Sequence, residues 1–583
     1  MDAPSNNPDL PLNAAPGSYF YISAQGQQPP QPDVEVDGRG KIHVVAYRKG
    51  GSAPSNAPQI LMSLDDCETY FGARSEVRAA LARIMSYKHG LTIYATGIDE
   101  PSAGTARTIP LTVVGTATGG GVARLRFCDQ VAAFSVAVGD GANAVAAALH
   151  AAFGALTKAP ATSGIAAPVV TLTAAVKGLT GNDLPVAIDF DDSVTGIDVS
   201  IGTLTLANAS DGTGKALSLS CGTKSVAYTY PGANEGASTS AANFAAVINA
   251  RGDFPLKATV SGAVLTLLLR NRRVAHRPVV ATTDGSQTAV LAVGTAGAGT
   301  PDLTLAILAW QASDAMAEWV TSFNDATSLG SLVSHLESEA NGYIQKEQFL
   351  TYGSAGTAPV AGGLAANASP SLNLYWRYSC AHLPDAFQPA YEFACLRAAA
   401  RCAATRPTAN LDYTPLTTDG TVNLTFPDIA VRPSLASRGV ARATYYLTPL
   451  IVRKGQLVIE SDITTYGGGY KDFVDSGHGH GLAYVRLRVN AGLAGLARKE
   501  LVQNSQPRVS EVIELSDVEA NVYNTFKDLE QQNLFDGADK VKPQIKAAVD
   551  PNNGTWIRCA APVILPRANH VIQGQIAQAL QAT

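Results

Sequence analysis

Charged residues and long apolar runs are both scarce in this chain of 583 residues. Asp, Glu, Lys and Arg together make up 16% of it, and the net charge is −5, with the basic residues scattered along the sequence. Phosphate binding needs clustered Lys and Arg, so we expect no direct nucleic-acid partner. The most apolar window, Leu303–Trp310, is too short to span a bilayer, so we expect no membrane insertion.

Signals for export, nucleotide binding and catalysis are missing as well. The first residues, MDAPSNNPDLPLNAAPG, have neither the basic start nor the apolar stretch of a signal peptide, which predicts a chain made in the cytoplasm. The phosphate-binding pattern G-x-x-x-x-G-K-[ST] does not occur in the sequence. Ser476 lacks the surrounding sequence of a nucleophile elbow. We therefore predict no enzyme activity and no cofactor.

Small residues are abundant, including 53 Gly, within a composition that is 46% hydrophobic. At this length several domains are expected. Strand-like and helix-like patterns alternate in residues 23–100 and 301–550. These patterns predict an α/β (α+β) multidomain fold, whose core of mixed sheet and helices is built from the N- and C-terminal parts of the chain. Within the core we expect a helix over 313–324 and a strand over 457–466.

Residues 101–300 contain an internal repeat. The segment Gly121–Cys128 matches Gly214–Cys221 at an offset of 93 residues, and Val169–Ala174 matches Val264–Leu269 at an offset of 95. Each copy has the pattern of a hairpin, a helix and a strand, at about the length of a small domain. We therefore predict two tandem inserted β-rich α+β repeat modules, 101–197 and 198–300.

Two glycine-rich stretches are candidate binding sites. Residues 139–144 loosely resemble a dinucleotide fingerprint, but the second copy has Pro231–Gly236 there, so the position requires turn residues rather than a phosphate cradle. In the sequence Ser-Gly-His-Gly-His-Gly, His478 and His480 have no further metal ligand at a typical short spacing that would complete a tetrahedral site. We predict no metal site, and we interpret residues 467–481 as a glycine loop that precedes a helix.

The seven cysteines are an odd number, which excludes complete pairing within one chain. Free thiols are expected of a protein made in the cytoplasm. The alternative is cross-linking between neighbouring chains in an oxidising medium. For that alternative Cys128 and Cys221, at equivalent hairpin ends, and Cys559, near the C-terminus, are the candidates.

Each end of the chain combines a joint rich in Pro or Asn with strand-like segments. Residues 1–22 end in the β-prone run Ser18–Ile22, and residues 551–583 contain Thr555–Cys559 and Val563–Leu565, followed by a short helical pattern. An arm of this kind can donate a strand to the sheet edge of another chain, and a frayed terminus is the alternative interpretation.

An ordered set of short stretches runs through the chain: AAVKGLTGND at 174–183, VIESDITTY at 458–466, LAYVRLR at 482–488 and DLEQQNLF at 528–535. Each stretch alone is a weak signal. Their order, in an α/β core interrupted by β-rich insertions, resembles the contractile tail sheath proteins of bacteriophages, especially the Mu-like sheath group. The resemblance covers most of the chain.

The resemblance implies a structural subunit of the virion that is assembled in the host cytoplasm. Such subunits form a homo-oligomer of stacked hexameric rings around an inner tail tube, with baseplate and tail terminator proteins as further partners. The sheath contracts from a metastable extended state and drives the tube through the host envelope. Neighbouring subunits stay linked by β-strand exchange, which the resemblance assigns here to Tyr19, Phe20, Tyr21, Ile22, Trp556, Ile557, Val563, Ile564 and Leu565.

The resemblance also implies a core that faces the tube. The predicted helix 517–532 carries candidate tube contacts, for which a solvated helix face is the alternative: Glu519, Lys527, Asp528 and Glu530. We interpret Leu457–Leu496 as the middle of the core sheet, which receives strands from neighbours. A phage tail, a tail-like bacteriocin and a secretion device all fit the resemblance. The competing functions are a surface adhesin or carbohydrate-binding repeat protein and an α/β enzyme using the loop near Gly467.

Overall fold

A computed structural model of the chain describes residues 18–23, 40–87, 90–128, 130–207, 214–231, 235–282, 289–310, 316–340, 346–357, 376–416, 441–453, 456–467, 474–494, 496, 500–501, 512–550 and 553–566. The mixed α/β fold class predicted from the sequence is confirmed. The predicted C-terminal helix, 571–580, lies outside the described residues.

The strands of the described part of the chain are numbered in chain order. They are β1 (Ser18–Ser23), β2 (Lys41–Tyr47), β3 (Pro58–Leu61), β4 (Thr92–Ile98), β5 (Thr108–Gly119), β6 (Gly121–Phe127), β7 (Gln130–Val136), β8 (Ala161–Ala166), β9 (Val169–Ala174), β10 (Val186–Phe190), β11 (Thr195–Leu206), β12 (Ala216–Cys221), β13 (Lys224–Thr229), β14 (Leu256–Ser261), β15 (Val264–Leu269), β16 (Pro278–Thr282), β17 (Ala289–Ala292), β18 (Glu318–Thr321), β19 (Phe349–Ser354), β20 (Tyr378–His382), β21 (Thr448–Arg453), β22 (Gln456–Ile459), β23 (Glu500–Leu501), β24 (Val512–Ile513), β25 (Lys546–Asp550) and β26 (Asn553–Ala561).

The helices follow the same numbering rule. They are α1 (Leu64–Phe71), α2 (Glu76–Tyr87), α3 (Ala142–Gly154), α4 (Ala237–Ala250), α5 (Thr304–Ala309), α6 (Ala326–Glu339), α7 (Ala390–Cys402), α8 (Ser476–Ala494), α9 (Leu515–Gln531) and α10 (Ala538–Val541). Short 3₁₀ helices span Leu179–Asp183 and Lys542–Gln544. Among the residues that the structure describes, no helix is long and apolar enough to cross a membrane.

The core is an eight-stranded sheet with the order β22-β21-β20-β19-β18-β2-β4-β3. Its six central strands are parallel, and the two edge strands, β22 and β3, are antiparallel to their neighbours. Along β2, Val44 packs in the cluster that contains α2 and α7, whereas Val45 packs in the cluster that contains α5 and α6. Helices therefore cover both faces, as a parallel sheet of buried apolar strands requires.

Between β4 and β18 the chain forms the insert, residues 101–300. A seven-stranded sheet with the order β14-β15-β11-β5-β9-β8, in which β17 also pairs with β11, is accompanied by the three-stranded sheets β10-β6-β7 and β13-β12-β16. Hairpin, helix and hairpin follow one another as β6-β7, α3 and β8-β9, and again as β12-β13, α4 and β14-β15. The long strands β5 and β11 pair with each other, so one sheet and one buried cluster run through both copies. The boundary at 197/198 falls inside β11, and the division into two modules stays a prediction.

The C-terminal part of the chain forms a further layer. Helices α8, α9 and α10 share an apolar cluster with one face of the small sheet β1-β26-β25. In that sheet Ile557, Cys559 and Ala561 of β26 are buried on the helix side. Both ends of the described chain therefore meet in one sheet.

Two element predictions for the core are wrong. Of the helix expected over 313–324, residues 313–315 lie outside the described part of the chain, and Glu318–Thr321 form strand β18. Trp319 and Val320 lie between β2 and β19, and burial in the sheet overrides the helical propensity of the surrounding Ala residues. The strand expected over 457–466 is only Gln456–Ile459, and β22 is an edge of the core sheet rather than its middle. The edge position follows from the antiparallel hairpin that joins β22 to β21.

The glycine loop expected over 467–481 is partly wrong. Residues 468–473 lie outside the described part of the chain, but the run Gly477–Gly481 is the first part of helix α8. Asp475 caps this helix, because its Oδ1 accepts hydrogen bonds from the backbone N–H of Gly477 and His478 at 2.7 and 3.3 Å.

The glycines of α8 are explained by close packing. A Cβ at position 479 would lie 2.8 Å from the Trp376 ring, and one at 481 would lie 2.6 Å from Thr408 Cγ2 and 3.1 Å from Leu565 Cδ1. Each glycine costs a helix about 1 kcal/mol relative to alanine, and the close approach of these side chains offsets that cost.

The strand predicted over Val563–Leu565 does not form in this chain. Strand β26 ends at Ala561, and residues 562–566 have no regular secondary structure. The Ile564 carbonyl accepts a hydrogen bond from Asp536 N at 2.9 Å, Leu565 is buried and Ile564 is exposed. Flanking Pro562 and Pro566 remove backbone N–H donors from this segment, which explains why it does not extend the sheet.

Candidate functional site

The most polar buried site lies between α7, the core sheet and the start of α8. The Arg397 guanidinium donates to Glu318 Oε1 at 2.9 Å and to Asp462 Oδ1 at 2.7 Å. It also donates to Ser476 Oγ at 2.8 Å, and Arg401 lies 3.5 Å from Asp462 Oδ2. Two arginines therefore balance the charges of two buried carboxylates. We call these residues, together with Ser476, the Arg397 network. It ties together β18, α7, α8 and the loop that follows β22.

His480 completes the network on the side of α8. Its ring stacks on Phe349 with centroids 3.5 Å apart, its Nδ1 lies 2.8 Å from the Ser476 carbonyl, and its Nε2 lies 3.3 Å from Glu318 Oε2. Burial and the neighbouring charge of Arg401 lower the pKa of His480. Both ring nitrogens thus have protein partners. Within the described residues, no three His, Cys, Asp or Glu side chains converge as metal ligands would.

The order Ser476, His480, Glu318 has the composition of a hydrolase triad but not its environment. Ser476 is 1% exposed, and its hydroxyl accepts a hydrogen bond from Arg397. A nucleophile needs an open approach and a base aimed at its own proton. The nearer partner of His480 Nδ1 is the Ser476 carbonyl, at 2.8 Å, whereas the hydroxyl is 3.5 Å away. The arrangement therefore positions α8 rather than preparing Ser476 for attack.

In the stretch 139–144, residues 139–141 form a turn between β7 and α3, and residues 142–144 are the start of α3. Gly139 has a φ of +91°, a conformation that favours glycine, and Asp140 Oδ2 accepts a hydrogen bond from Ala137 N at 2.7 Å. Gly141 is the N-cap residue of α3. The Asp140 side chain therefore stabilises the turn through a hydrogen bond to the backbone of Ala137. In the second copy, residues 232–234 lie outside the described part of the chain.

The predicted arm residues meet in the terminal sheet. Strand β1 runs antiparallel to β26 over six residue pairs, from Ser18 opposite Ala561 to Ser23 opposite Trp556. Phe20 is opposite Cys559, and Ile22 is opposite Ile557. Tyr19 and Tyr21 lie opposite Ala560 and Arg558. The other side of β26 pairs with β25, so β26 is the central strand of three.

The three candidate cross-linking cysteines are all buried in this chain. Cys128 is 0% exposed, and Cys221 and Cys559 are each 2% exposed. Burial raises the pKa of Cys221 to about 12 and that of Cys559 to about 11. The described cysteines are free thiols. A cross-link between chains would first have to expose them, and it stays a prediction.

The four candidate tube contacts lie on α9, and three of them have partners within the chain. Glu519 accepts a hydrogen bond from Ala547 N at 2.9 Å, Lys527 pairs with Glu530 at 2.9 Å and with Asp539 at 2.8 Å, and Glu530 also accepts from the start of α10. Asp528 is exposed. The role of this helix face stays a prediction, and Asp528 is its most accessible member.

Sequence reasoning missed the Arg397 network and the buried Glu76 described below. A signal existed for Arg397, because FACLRAAARC places arginine in an otherwise apolar helix pattern. Such an arginine needs a buried partner. The partners Glu318 and Asp462 lie 79 and 65 residues away, and nothing local connects them.

Part of this chain is similar in sequence to a known tail sheath protein. No known protein-family profile matches it. The chain is 26% identical over 140 residues to the Mu-like prophage FluMu tail sheath protein of Haemophilus influenzae, a match that covers 24% of this chain and 29% of that protein. The resemblance to the Mu-like sheath group is thereby confirmed over those residues.

Three solved structures have low overall similarity. The sheath tail proteins of Desulfitobacterium hafniense and Listeria innocua each superpose with a TM-score of 0.40, at 10% and 9% identity, over 90% of this chain and 92% of theirs. A chain of the anti-feeding prophage baseplate superposes with a TM-score of 0.31 at 14% identity, over 45% of this chain and 68% of that chain. Scores this low add no argument about role.

Proposed function

We propose that this chain is a structural subunit of a contractile phage tail sheath. The similarity to the FluMu tail sheath protein supports the role, and the meeting of both chain ends in one sheet supports the way in which subunits are linked. The subunits stack in rings around an inner tube, with baseplate and terminator proteins at the ends. They form part of the virion, and their contraction is a repacking of bodies that needs no catalytic residue.

The terminal sheet supports linkage by strand exchange. The pairing of β1 with β26 has the same local geometry whether β1 comes from the same chain or from a neighbour, as in any swapped element. Residues 24–39 separate β1 from the next described residue, and sixteen residues can span up to about 50 Å. Six residue pairs form several backbone hydrogen bonds, each contributing roughly 1 kcal/mol. The arm can therefore reach a neighbouring subunit and hold it.

The Arg397 network supports a core that turns as one body. It connects β18, the loop after β22, α7 and α8 around charged side chains that are 1% to 2% exposed. Breaking such a network costs more than rotating a terminal arm, so motion between subunits falls on the arms. On α9, Asp528 is the residue that we assign to the tube-facing surface.

A single new cysteine tests the exchange. Phe20→Cys places a thiol opposite Cys559, and directly paired residues of antiparallel strands have Cα atoms within disulfide range. After oxidation, tubes linked by exchange give a ladder of covalent multimers on non-reducing gels. Tyr21→Cys is the matched control, because the residue opposite position 21 is Arg558, which offers no thiol.

The outcomes separate the two parts of the proposal. Tubes in electron micrographs together with a ladder for Phe20→Cys alone support sheath and exchange. Tubes with only an intrachain cross-link retain the sheath and reject the exchange. Purified protein that forms neither tubes nor rings rejects the sheath.

A further inference from the structure

The insert is joined to the core through the segment 176–184, which overlaps one of the four stretches that carry the sheath resemblance. We call this segment and the core residues it touches the joint. Val176 packs in the core cluster that contains Tyr47, and a Cβ at Gly178 would lie 2.6 Å from the Tyr47 hydroxyl. Gly178 has a φ of +127°, so both its conformation and its surroundings require glycine. The insert therefore contacts the core at van der Waals distance here.

Two carboxylates cross the joint in opposite directions. Glu76 of the core, at the start of α2, accepts a hydrogen bond from Thr180 Oγ1 of the insert at 2.6 Å. Asp183 of the insert accepts one from Asn324 Nδ2 of the core, also at 2.6 Å. Glu76 is 4% exposed and Asp183 is partly buried. Each body thus presents one acid to a neutral donor of the other.

Neither acid has an ion-pair partner in the described part of the chain. Arg107 is the nearby cation, but its Nη1 donates to the carbonyls of Gly181, Asn182 and Leu184 at 3.2, 2.9 and 2.7 Å. It holds the 3₁₀ helix in shape and reaches Asp183 only through space.

The other charged or titratable groups around the joint do not neutralise the acids. Ser322 and the backbone of Tyr47 lie near Glu76 and lower its pKa, but by less than burial raises it. The Tyr47 ring also faces the carboxylates Asp325 and Glu100. None of these neighbours is a cation, and burial favours the protonated form of Glu76.

We propose that the joint is a pH-dependent latch, closed when Glu76 is protonated and loosened when Glu76 and Asp183 are both ionised across it. The ionised pair places two like charges on opposite bodies in a poorly solvated space. The latch belongs to the subunit itself and does not rest on the proposed sheath function. In a sheath it would set whether insert and core move together.

The direction of the pH dependence follows from burial. Burial raises the pKa of Glu76 to about 7 in spite of the hydrogen bond from Thr180, and burial also raises the pKa of Asp183. In an open joint Glu76 would ionise near the ordinary value of about 4.3. The closed joint is therefore favoured below that value, loses stability as pH rises toward about 7, and changes little above it.

The test is hydrogen–deuterium exchange of a peptide covering 176–184, corrected for the intrinsic dependence of exchange on pH. From about pH 5.5 to about pH 8 we expect the protection of this peptide to fall on the order of tenfold, and that of β19 in the core sheet to stay constant. Glu76→Gln keeps the acceptor for Thr180 and cannot ionise. It should keep the peptide protected at both pH values.

Glu68→Gln is the matched control, since Glu68 also crosses the joint region, through a 2.6 Å ion pair with Lys158 of the insert. Its hydrogen bond with Lys158 lowers the pKa of Glu68, so it titrates below this pH range. This variant should shift protection equally at both values. Asp183→Asn should reduce the pH dependence in part. Equal protection of the unmodified joint at both pH values, or an unchanged pH dependence in Glu76→Gln, would overturn the latch.

Discussion

The Arg397 network and the joint both place carboxylates inside the protein, but they satisfy these groups differently. In the network, Glu318 and Asp462 receive charge-assisted hydrogen bonds from Arg397. In the joint, Glu76 and Asp183 receive hydrogen bonds from the neutral side chains of Thr180 and Asn324. The carboxylates of the network are paired with arginines, whereas those of the joint have only neutral hydrogen-bond donors.

This difference gives the two sites opposite responses to pH. Burial alone would raise the pKa of Glu318, but His480 and Arg397 lower it below its usual value, and Arg397 and Arg401 do the same for Asp462. The network therefore contributes its full stability above the ordinary carboxyl pKa of about 4 and loses it as pH falls. The joint loses stability as pH rises. The Arg397 network is therefore fully stabilising at the neutral pH values at which the joint is weakened.

The largest expected effect comes from removing the cation of the network. Arg397→Met leaves Glu318 and Asp462 buried without their main partner, and we expect a loss of about 3–5 kcal/mol in the free energy of unfolding of the core. Urea unfolding followed by the fluorescence of the buried Trp310 and Trp319 measures this loss. Arg453→Ala removes an exposed arginine of the same sheet and should change stability by about 0.5 kcal/mol or less.

A small loss in Arg397→Met, close to that of the control, would mean that the two carboxylates become protonated or solvated without cost. The network and the joint would then not differ in how strongly their buried carboxylates depend on a partner. The free energy of unfolding measured at acid pH gives a second test. The unmodified protein should lose stability as pH falls through about 4, and Arg397→Met should not show this loss.

The next effect concerns the helix that carries His480 into the network. Gly481→Ala should favour helix formation by up to about 1 kcal/mol, but its methyl group would push against Thr408 and Leu565, at a cost of about 1–3 kcal/mol. We expect a net loss of about 1–2 kcal/mol and weaker protection of residues 563–565 in hydrogen exchange. Gly154→Ala, at the end of α3 with open space around the added Cβ, should be neutral or stabilising.

If Gly481→Ala stabilises the protein as much as Gly154→Ala does, the close packing around α8 contributes little. In that case the network alone positions the helix, and the contrast between the rigid core and the looser joint rests on charge rather than on shape.

Sequence patterns predicted those parts of the fold that are fixed by local periodicity. The alternation of strands and helices in residues 23–100 was predicted correctly because the apolar residues there repeat at the spacing of one element at a time. Strand β18 was missed because its Ala-rich surroundings favour a helix until β2 and β19 flank it. Helix α8 was placed six residues late because Gly-His-Gly-His-Gly lacks helix propensity and gains its stability from contacts with Trp376, Thr408 and Leu565.

The candidate sites also differ in how far local sequence patterns could predict them. The strand-like runs Ser18–Ile22 and Thr555–Cys559 were recognisable in the sequence and lie in strands of one sheet. Glu76, by contrast, has nothing in its local sequence to distinguish it from a solvated first-turn glutamate of an amphipathic helix. Only the fold brings Thr180 to it, 104 residues away. An acid of this kind is buried by contacts with residues distant in the sequence, and the periodicity of the local sequence carries no information about those contacts.

The smallest expected effect separates the surface of the joint from its interior. Lys158→Met removes the ion pair with Glu68, in which the lysine side chain is 43% exposed and the glutamate 22% exposed. Exposed pairs contribute about 0.2–1 kcal/mol and weaken with salt, so the variant should loosen the 176–184 peptide slightly, equally at acid and neutral pH, and less at high ionic strength. Hydrogen exchange in low and high salt measures this. If Lys158→Met instead abolished the dependence on pH, the joint would be held by its surface charge, and Glu76 would be an ordinary buried acid rather than the group that opens it.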